Sequence, residues 1–194
     1  MQTESPLDGL HAELLGHAAC CPAQSALAAS FIALLEDADA FERRRLAGHF
    51  TASAWLVDRR GRRVLLTHHR KLDMWVQLGG HADGDRNLAR AALREAEEES
   101  GLAGLRLEGG IFDLDRHRIP EHKGVPEHWH YDVRYVVRAA KSEDFVVSDE
   151  SHDLAWRDIG ALAVDEDADP SLRRMARKWL EAANRPPGSN AAGA

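Results

Sequence analysis

The sequence predicts an α/β protein, and three observations carry that expectation. Segments rich in β-branched and aromatic residues recur at 50–57, 63–67, 74–78, 105–119 and 128–137. One helical segment, residues 87–100, falls between them. An amphipathic stretch from Pro170 to Leu180 follows them, so the order is that of a sheet covered by helices.

Residues 6–48 read as helical. Leu7, Leu10, Leu14 and Leu15 are spaced for one helix face. After Pro22, a residue suited to a first helical turn, Ala26, Leu27, Phe31, Leu34 and Leu35 repeat the pattern. Phe41 to Leu46 is expected to add a short turn of helix. This N-terminal helical extension, residues 1–48, reads as a packed cap on the sheet, with homodimer formation or the shaping of a substrate pocket as alternatives.

From Phe50 the pattern becomes that of a strand reaching Val57. Asp58-Arg-Arg-Gly-Arg62 then turns the chain into Arg63–Thr67, which predicts a hairpin. His68, His69, Arg70 and Lys71 follow at the strand exit, either as an exposed rim or as contacts for phosphate or base. Met74–Leu78 forms the next strand and delivers a Gly-rich turn beginning at Gly79-Gly80.

The segment after that turn carries the chemistry. At 100° per residue, Ala89, Ala92, Leu93 and Ala96 share a narrow apolar arc, small enough for close approach to a sheet. Glu95, Glu98 and Glu99 share a neighbouring face. Asn87 is the expected N-cap, and Gly101 the residue just past the C-terminus. Three carboxylates so placed repel one another, and a divalent cation removes the conflict. Mg²⁺ takes oxygen ligands and keeps several waters, which suits phosphate chemistry.

Beyond the helix, Leu105–Leu107 and Gly110–Asp115 read as one bent strand or two short ones, continued by Arg116–Pro120. Residues 121–127 form a polar loop. In the strand that follows, His128, His130, Asp132 and Arg134 alternate with Trp129, Tyr131, Val133 and Tyr135. The polar ladder suits a phosphate-ester site or a second metal position, with His117 joining it; the solvent face of an edge strand is the alternative. The His128/His130 spacing also fits zinc in concert with other ligands. Trp129, Tyr131 and Trp156 serve either as core or as a stacking surface for a base. Glu143–Val147 is a loop or short edge strand, Ser148–Trp156 leads into a last strand, and Ile159–Val164 begins a helical turn. From Asn184 onward the composition is that of a disordered tail.

Residues 80–102 resemble the Nudix box: Gly, five residues, Glu, seven residues, then Arg-Glu-apolar-any-Glu-Glu-any-Gly-apolar. Gly80, Arg94, Glu95, Ala96, Glu98, Glu99, Gly101 and Leu102 match in register. Arg86 stands where the family has its first Glu. Asp85 and Asp83 lie nearby, and a small loop shift would bring in either carboxylate; otherwise one outer ligand is missing.

The resemblance implies an α/β/α sandwich with a mixed β-sheet, a hydrolase domain over 49–183, and a tail over 184–194. It implies cleavage of a pyrophosphate bond in a nucleoside diphosphate linked to another moiety, using Mg²⁺ or Mn²⁺. Glu95, Glu98, Glu99 and the Gly80 carbonyl are then the expected metal ligands. Arg94 is the residue expected to hold a catalytic glutamate. Glu95 is the first candidate for general base and Glu150 the second, with His117 and His130 also suited by type. His81, His117, His128, His130, Asp132 and Arg134 are the candidate substrate contacts. A Nudix-fold module that senses or binds nucleotide without hydrolysis is the alternative, and Arg86 is its support.

Composition narrows the partners. The 194 residues suffice for one domain with an extension, with 44% apolar and 29% charged residues. A formal net charge of −7 argues against broad adhesion to nucleic acid or an anionic membrane. The only cysteines, Cys20 and Cys21, are adjacent, which fits a reducing cytoplasm rather than a disulfide framework. The opening residues lack a signal-peptide pattern, and no segment approaches 18 uninterrupted apolar residues, so no membrane span is expected.

Overall fold

The computed structural model describes residues 6–70, 73–122, 124–147 and 151–184. Two helices come first, α1 (Pro6–Cys20) and α2 (Ser25–Leu34), joined by a 3-10 turn at Pro22–Gln24. The strands β1 (His49–Val57), β2 (Arg63–His69) and β3 (Met74–His81) precede α3 (Leu88–Ser100). Then come β4 (Arg106–Ile119), β5 (His128–Arg138), β6 (Ser151–Asp158), the short α4 (Ile159–Leu162) and α5 (Pro170–Ala183). Residues 41–46 form turns rather than the expected helical turn. Residues 143–147 are coil.

The six strands make one mixed sheet in the order β4-β5-β1-β3-β2-β6. β1 lies at its centre, parallel to β5 and antiparallel to β3. All nine residues of β1 are buried, as a strand covered on both faces requires. The β1–β2 hairpin is closed by Asp58, whose Oδ1 accepts from the Arg62 N–H at 2.7 Å and whose Oδ2 accepts from Arg63 Nε at 3.1 Å. β4 is a single strand, with register shifts around Glu108 and Ile111 that absorb its bend.

Strand alternation divides the core into two faces. Phe50, Ala52, Ala54 and Leu56 of β1 pack under α1, α2 and α3, together with Leu10, Leu14, Phe31, Ala91, Ala92 and Ala96. Trp55 and Val57 point the other way, onto Ile159 and Leu162 of α4 and Leu172, Met175 and Ala176 of α5. The result is an α/β/α sandwich whose N-terminal helices share the layer of α3. No helix among the described residues is long and apolar enough to cross a membrane.

Candidate active site

The chemistry-bearing surface forms where α3 meets β3. Asn87 caps α3, its side chain accepting from the Arg90 N–H at 2.9 Å, and Gly101 ends it in the left-handed region at φ 66°. The buried stripe is Leu88, Ala91, Ala92, Ala96 and Ser100, while Ala89 is only half-buried. The apolar arc is therefore rotated from the expected one, toward a helix that presses its alanines onto β1 and β3.

The two glycines are not a turn. β3 runs through Gly79 and Gly80 to His81, and the chain turns at Asp83 and Gly84 instead. A Cβ at Gly79 would lie 2.5 Å from Ser53 Oγ, and one at Gly80 would collide with the Glu95 carboxylate. The missing side chain at Gly80 lets α3 lie directly on the strand, with Glu95 against the Gly80 backbone, while Gly79 makes room for Ser53 of β1. Glu99 Oε1 accepts from the Gly79 N–H at 2.7 Å. Arg94 donates to Glu95 Oε1 at 2.8 Å and to the His81 carbonyl at 3.3 Å, tying helix to strand end. Burial raises the Glu95 carboxyl above its ordinary pKa, against the lowering effect of Arg94. Glu98 is exposed one turn further on.

The loop before α3 gives its carboxylates to arginines. Asp83 makes a two-point pair with Arg43 at 2.7 and 2.8 Å, and Asp85 pairs with Arg90 at 2.7 and 2.9 Å. Those hydrogen bonds hold both carboxyls below their ordinary range. Arg86 is exposed, its guanidinium 5.9 Å from the Phe41 ring. Both carboxylates near the first box position are thus engaged by arginine side chains.

The polar ladder of β5 separates into two parts. Asp132 and Arg134 are buried at 1% and 2% exposure. Asp132 accepts from Thr51 at 3.0 Å, Ser53 at 2.7 Å, Gln77 at 3.2 Å and Arg134 at 2.7 Å. Arg134 also donates to Asp115 at 2.8 Å, while Arg174 of α5 holds Asp113 at 2.7 Å. Burial pushes the Asp132 carboxyl up, but Arg134 and the hydroxyl donors hold it below its ordinary value. These two candidate substrate contacts therefore sit inside a buried, mutually satisfied network. Every polar atom of such a group that lacked a partner would be costly, and here the partners come from the chain itself.

The histidines gather at the other end of that face. The His130 ring centroid lies 5.0 Å from His49, 5.1 Å from His81, 5.2 Å from His128 and 5.5 Å from His117. Burial, with the neighbouring imidazoles, pushes the His130 pKa down to about 2, and burial brings His49 down to about 4. His130 is thus a half-buried ring with its Nε2 enclosed, held neutral rather than titrating near neutrality. Glu150 lies outside the described residues, as does Lys71. Trp156 donates to the Glu143 carbonyl at 2.9 Å, and Tyr131 meets Phe31 edge to face at 5.2 Å, so both are packed rings. Trp129 lies under Arg116 at 4.8 Å.

Two participants escape a reading of the sequence. His49 is the first residue of β1, and only the parallel pairing of β1 with β5 sets it opposite His130. Gly79 was legible as a bend, yet its part is to offer an N–H to Glu99 from within a strand.

A mixed sheet covered on both faces, with a glutamate-bearing helix laid on a glycine-containing strand, defines the structural class. The chain belongs to the NUDIX domain family, whose model matches residues 48–179. It is accordingly a Nudix-type pyrophosphohydrolase, of a family that generally uses divalent metal ions. Comparison with curated proteins gives no match. Among solved structures, a NUDIX family hydrolase from Clostridium perfringens is similar at 24% identity and TM-score 0.55, covering 70% of this chain and 97% of that one. An Ap4A hydrolase from C. elegans is similar at 18% identity and TM-score 0.55, covering 69% and 96%. The MutT protein of Methanosarcina mazei Go1 is similar at 16% and TM-score 0.56, covering 71% and 96%. At these identities the likeness is one of fold.

Proposed function

We propose that this chain hydrolyses a pyrophosphate bond in a nucleoside diphosphate linked to another moiety, with Mg²⁺ or Mn²⁺ held by Glu95, Glu98, Glu99 and the Gly80 carbonyl. The observation that carries the reading is the close fit of Glu95 against Gly80, where a Cβ has no room and the carboxylate meets the strand backbone. The donors are hard oxygens, the type that suits these cations. When bound, the ion would neutralise phosphate oxygens and lower the pKa of a coordinated water.

The chain's own residues do the rest. Arg94, bonded to both Glu95 and the His81 carbonyl, fixes the Glu95 rotamer. The Gly79 N–H does the same for Glu99. Glu95, with its carboxyl pKa raised by burial, is the proposed general base. Positioning of the reacting groups supplies much of what such a reaction needs.

A second reading has its own observation. With Asp83 and Asp85 both held by arginines, Arg86 leaves the first box position without a carboxylate. A module that binds nucleotide without cleaving it would share this feature. The deciding experiment incubates the full chain with nucleoside diphosphates, triphosphates, sugar nucleotides and dinucleotides plus Mg²⁺ or Mn²⁺. Metal-dependent phosphate-ester products from the wild type, reduced by orders of magnitude in Glu98→Gln, are expected. Nucleotide binding by calorimetry without product would favour the second reading.

A further inference from the structure

His49, His81 and His130 bring one ring nitrogen each to within 4.8 Å of one another, from three different strands. The strand registers place His49 opposite His130 and Thr51 opposite His81, so the three imidazoles share the sheet face turned away from α3. His49 Nδ1 lies 3.2 Å from the Arg45 carbonyl. A carbonyl only accepts, so Nδ1 carries the hydrogen and Nε2 presents its lone pair. That Nε2 is buried without a hydrogen-bond partner, and so is His130 Nε2.

A buried lone-pair nitrogen on His49 and a second buried, unbonded ring nitrogen on His130, in rings whose centroids lie 5.0 Å apart, ask for a shared partner. A ring held through Nδ1–H by a backbone carbonyl, with Nε2 turned inward, is how metal-bound histidines are oriented. His128 repeats the device beside them, its Nδ1 donating to the Pro126 carbonyl at 2.8 Å. The nearby carboxylates are already engaged, Asp132 of β5 by four donors and Asp83 by Arg43. Three imidazoles without a carboxylate suit Zn²⁺ or Co²⁺ rather than Mg²⁺. Another group, His17 with Cys20 and Cys21, lacks this character, because both His17 nitrogens are engaged by Ile111 and Gln24.

We propose that His49, His81 and His130 form a divalent transition-metal site of the zinc class, with its fourth position open, distinct from the carboxylates of α3. Ligand nitrogens around a tetrahedral zinc lie about 3.4 Å apart, so small ring rotations close the site. The proposal does not depend on the reading of Glu95, Glu98 and Glu99.

Untagged full-length protein, stripped by a chelator, is titrated with Co²⁺ and followed by visible absorption, then challenged with Zn²⁺. One equivalent of Co²⁺ with the intense absorption of a low-coordinate nitrogen-ligated ion is expected, displaced by Zn²⁺ and retained in Glu98→Gln. His49→Gln and His130→Gln should each abolish the band, and circular dichroism establishes that they fold. If burial makes those two unfold, His81→Gln at the half-buried strand end decides in their place. No stoichiometric Co²⁺, or a band lost in Glu98→Gln but kept in the histidine variants, would overturn the proposal.

Discussion

A methyl group at position 80 would run into the Glu95 carboxylate, although the backbone there is not in the positive-φ region that demands glycine. The requirement is for space alone. Gly80→Ala should therefore fold with a nearly unchanged melting temperature while displacing Glu95. A misplacement of about 1 Å at a reacting group costs about 100-fold in rate, so kcat/KM is expected to fall by that order. Steady-state kinetics beside a thermal melt checks both halves. Full activity in Gly80→Ala would show that the Glu95 position is immaterial.

Larger consequences attach to the residues that tie elements together. Arg134 joins β5 to β4 through Asp115 and sits beside Asp132, with Asp113 3.6 Å away. Replacing it with Met leaves buried carboxylates without their cation, at a cost of about 3–5 kcal/mol, readable as a fall in the urea midpoint. A phosphate-binding role would instead raise KM with stability intact.

At α5 the tie is the N-cap. Asp169 accepts from the Ser171 and Leu172 N–H groups at 2.8 and 3.4 Å, and its removal in Asp169→Ala should cost about 1 kcal/mol. Burial pushes this carboxyl up, but the cap hydrogen bonds hold its pKa below the ordinary 3.8. A group depressed in the folded state stabilises above its unfolded pKa and loses that contribution as pH falls through the folded value. The stability gap between wild type and Asp169→Ala should therefore be full at pH 7 and shrink below about pH 4 in denaturant titrations. A gap independent of pH would mean that the carboxylate is not the cap.

What could be read from residues alone follows from how local each feature is. Asn87 and Gly101 bound α3 through chemistry within one turn, and the helix ends where they place it. The hairpin at Asp58–Arg62 is equally local, and it forms. Gly79 and Gly80 misled because glycine marks both bends and close contacts, and only the packing of α3 distinguishes them. The β5 ladder was legible as a polar face, inward or solvent-exposed, but the choice between the two rests on α5, far along the chain. His49 was invisible for the same reason: its partners arrive through β3 and β5.

Across the whole molecule, two helical layers hold the sheet from opposite sides. Residues before the matched family region contribute Leu10, Leu14, Ala28, Phe31 and Leu34 to the same core that seats Ala91 and Ala92 of α3. α3 thus seats its alanines in a core it shares with the N-terminal helices, while α4 and α5 cover the other side around Trp55. The fold brings two donor sets to opposite faces of one sheet: oxygens on α3, imidazoles on β1, β3 and β5. Mg²⁺ distinguishes them, because it prefers oxygen ligands.

Calorimetric titration of the chelator-stripped chain with Mg²⁺, for wild type and Glu98→Gln, addresses the carboxylate set alone. Saturable binding by the wild type that is lost or severely weakened in the variant is the predicted result. Identical isotherms for the two proteins would contradict a metal centre on α3.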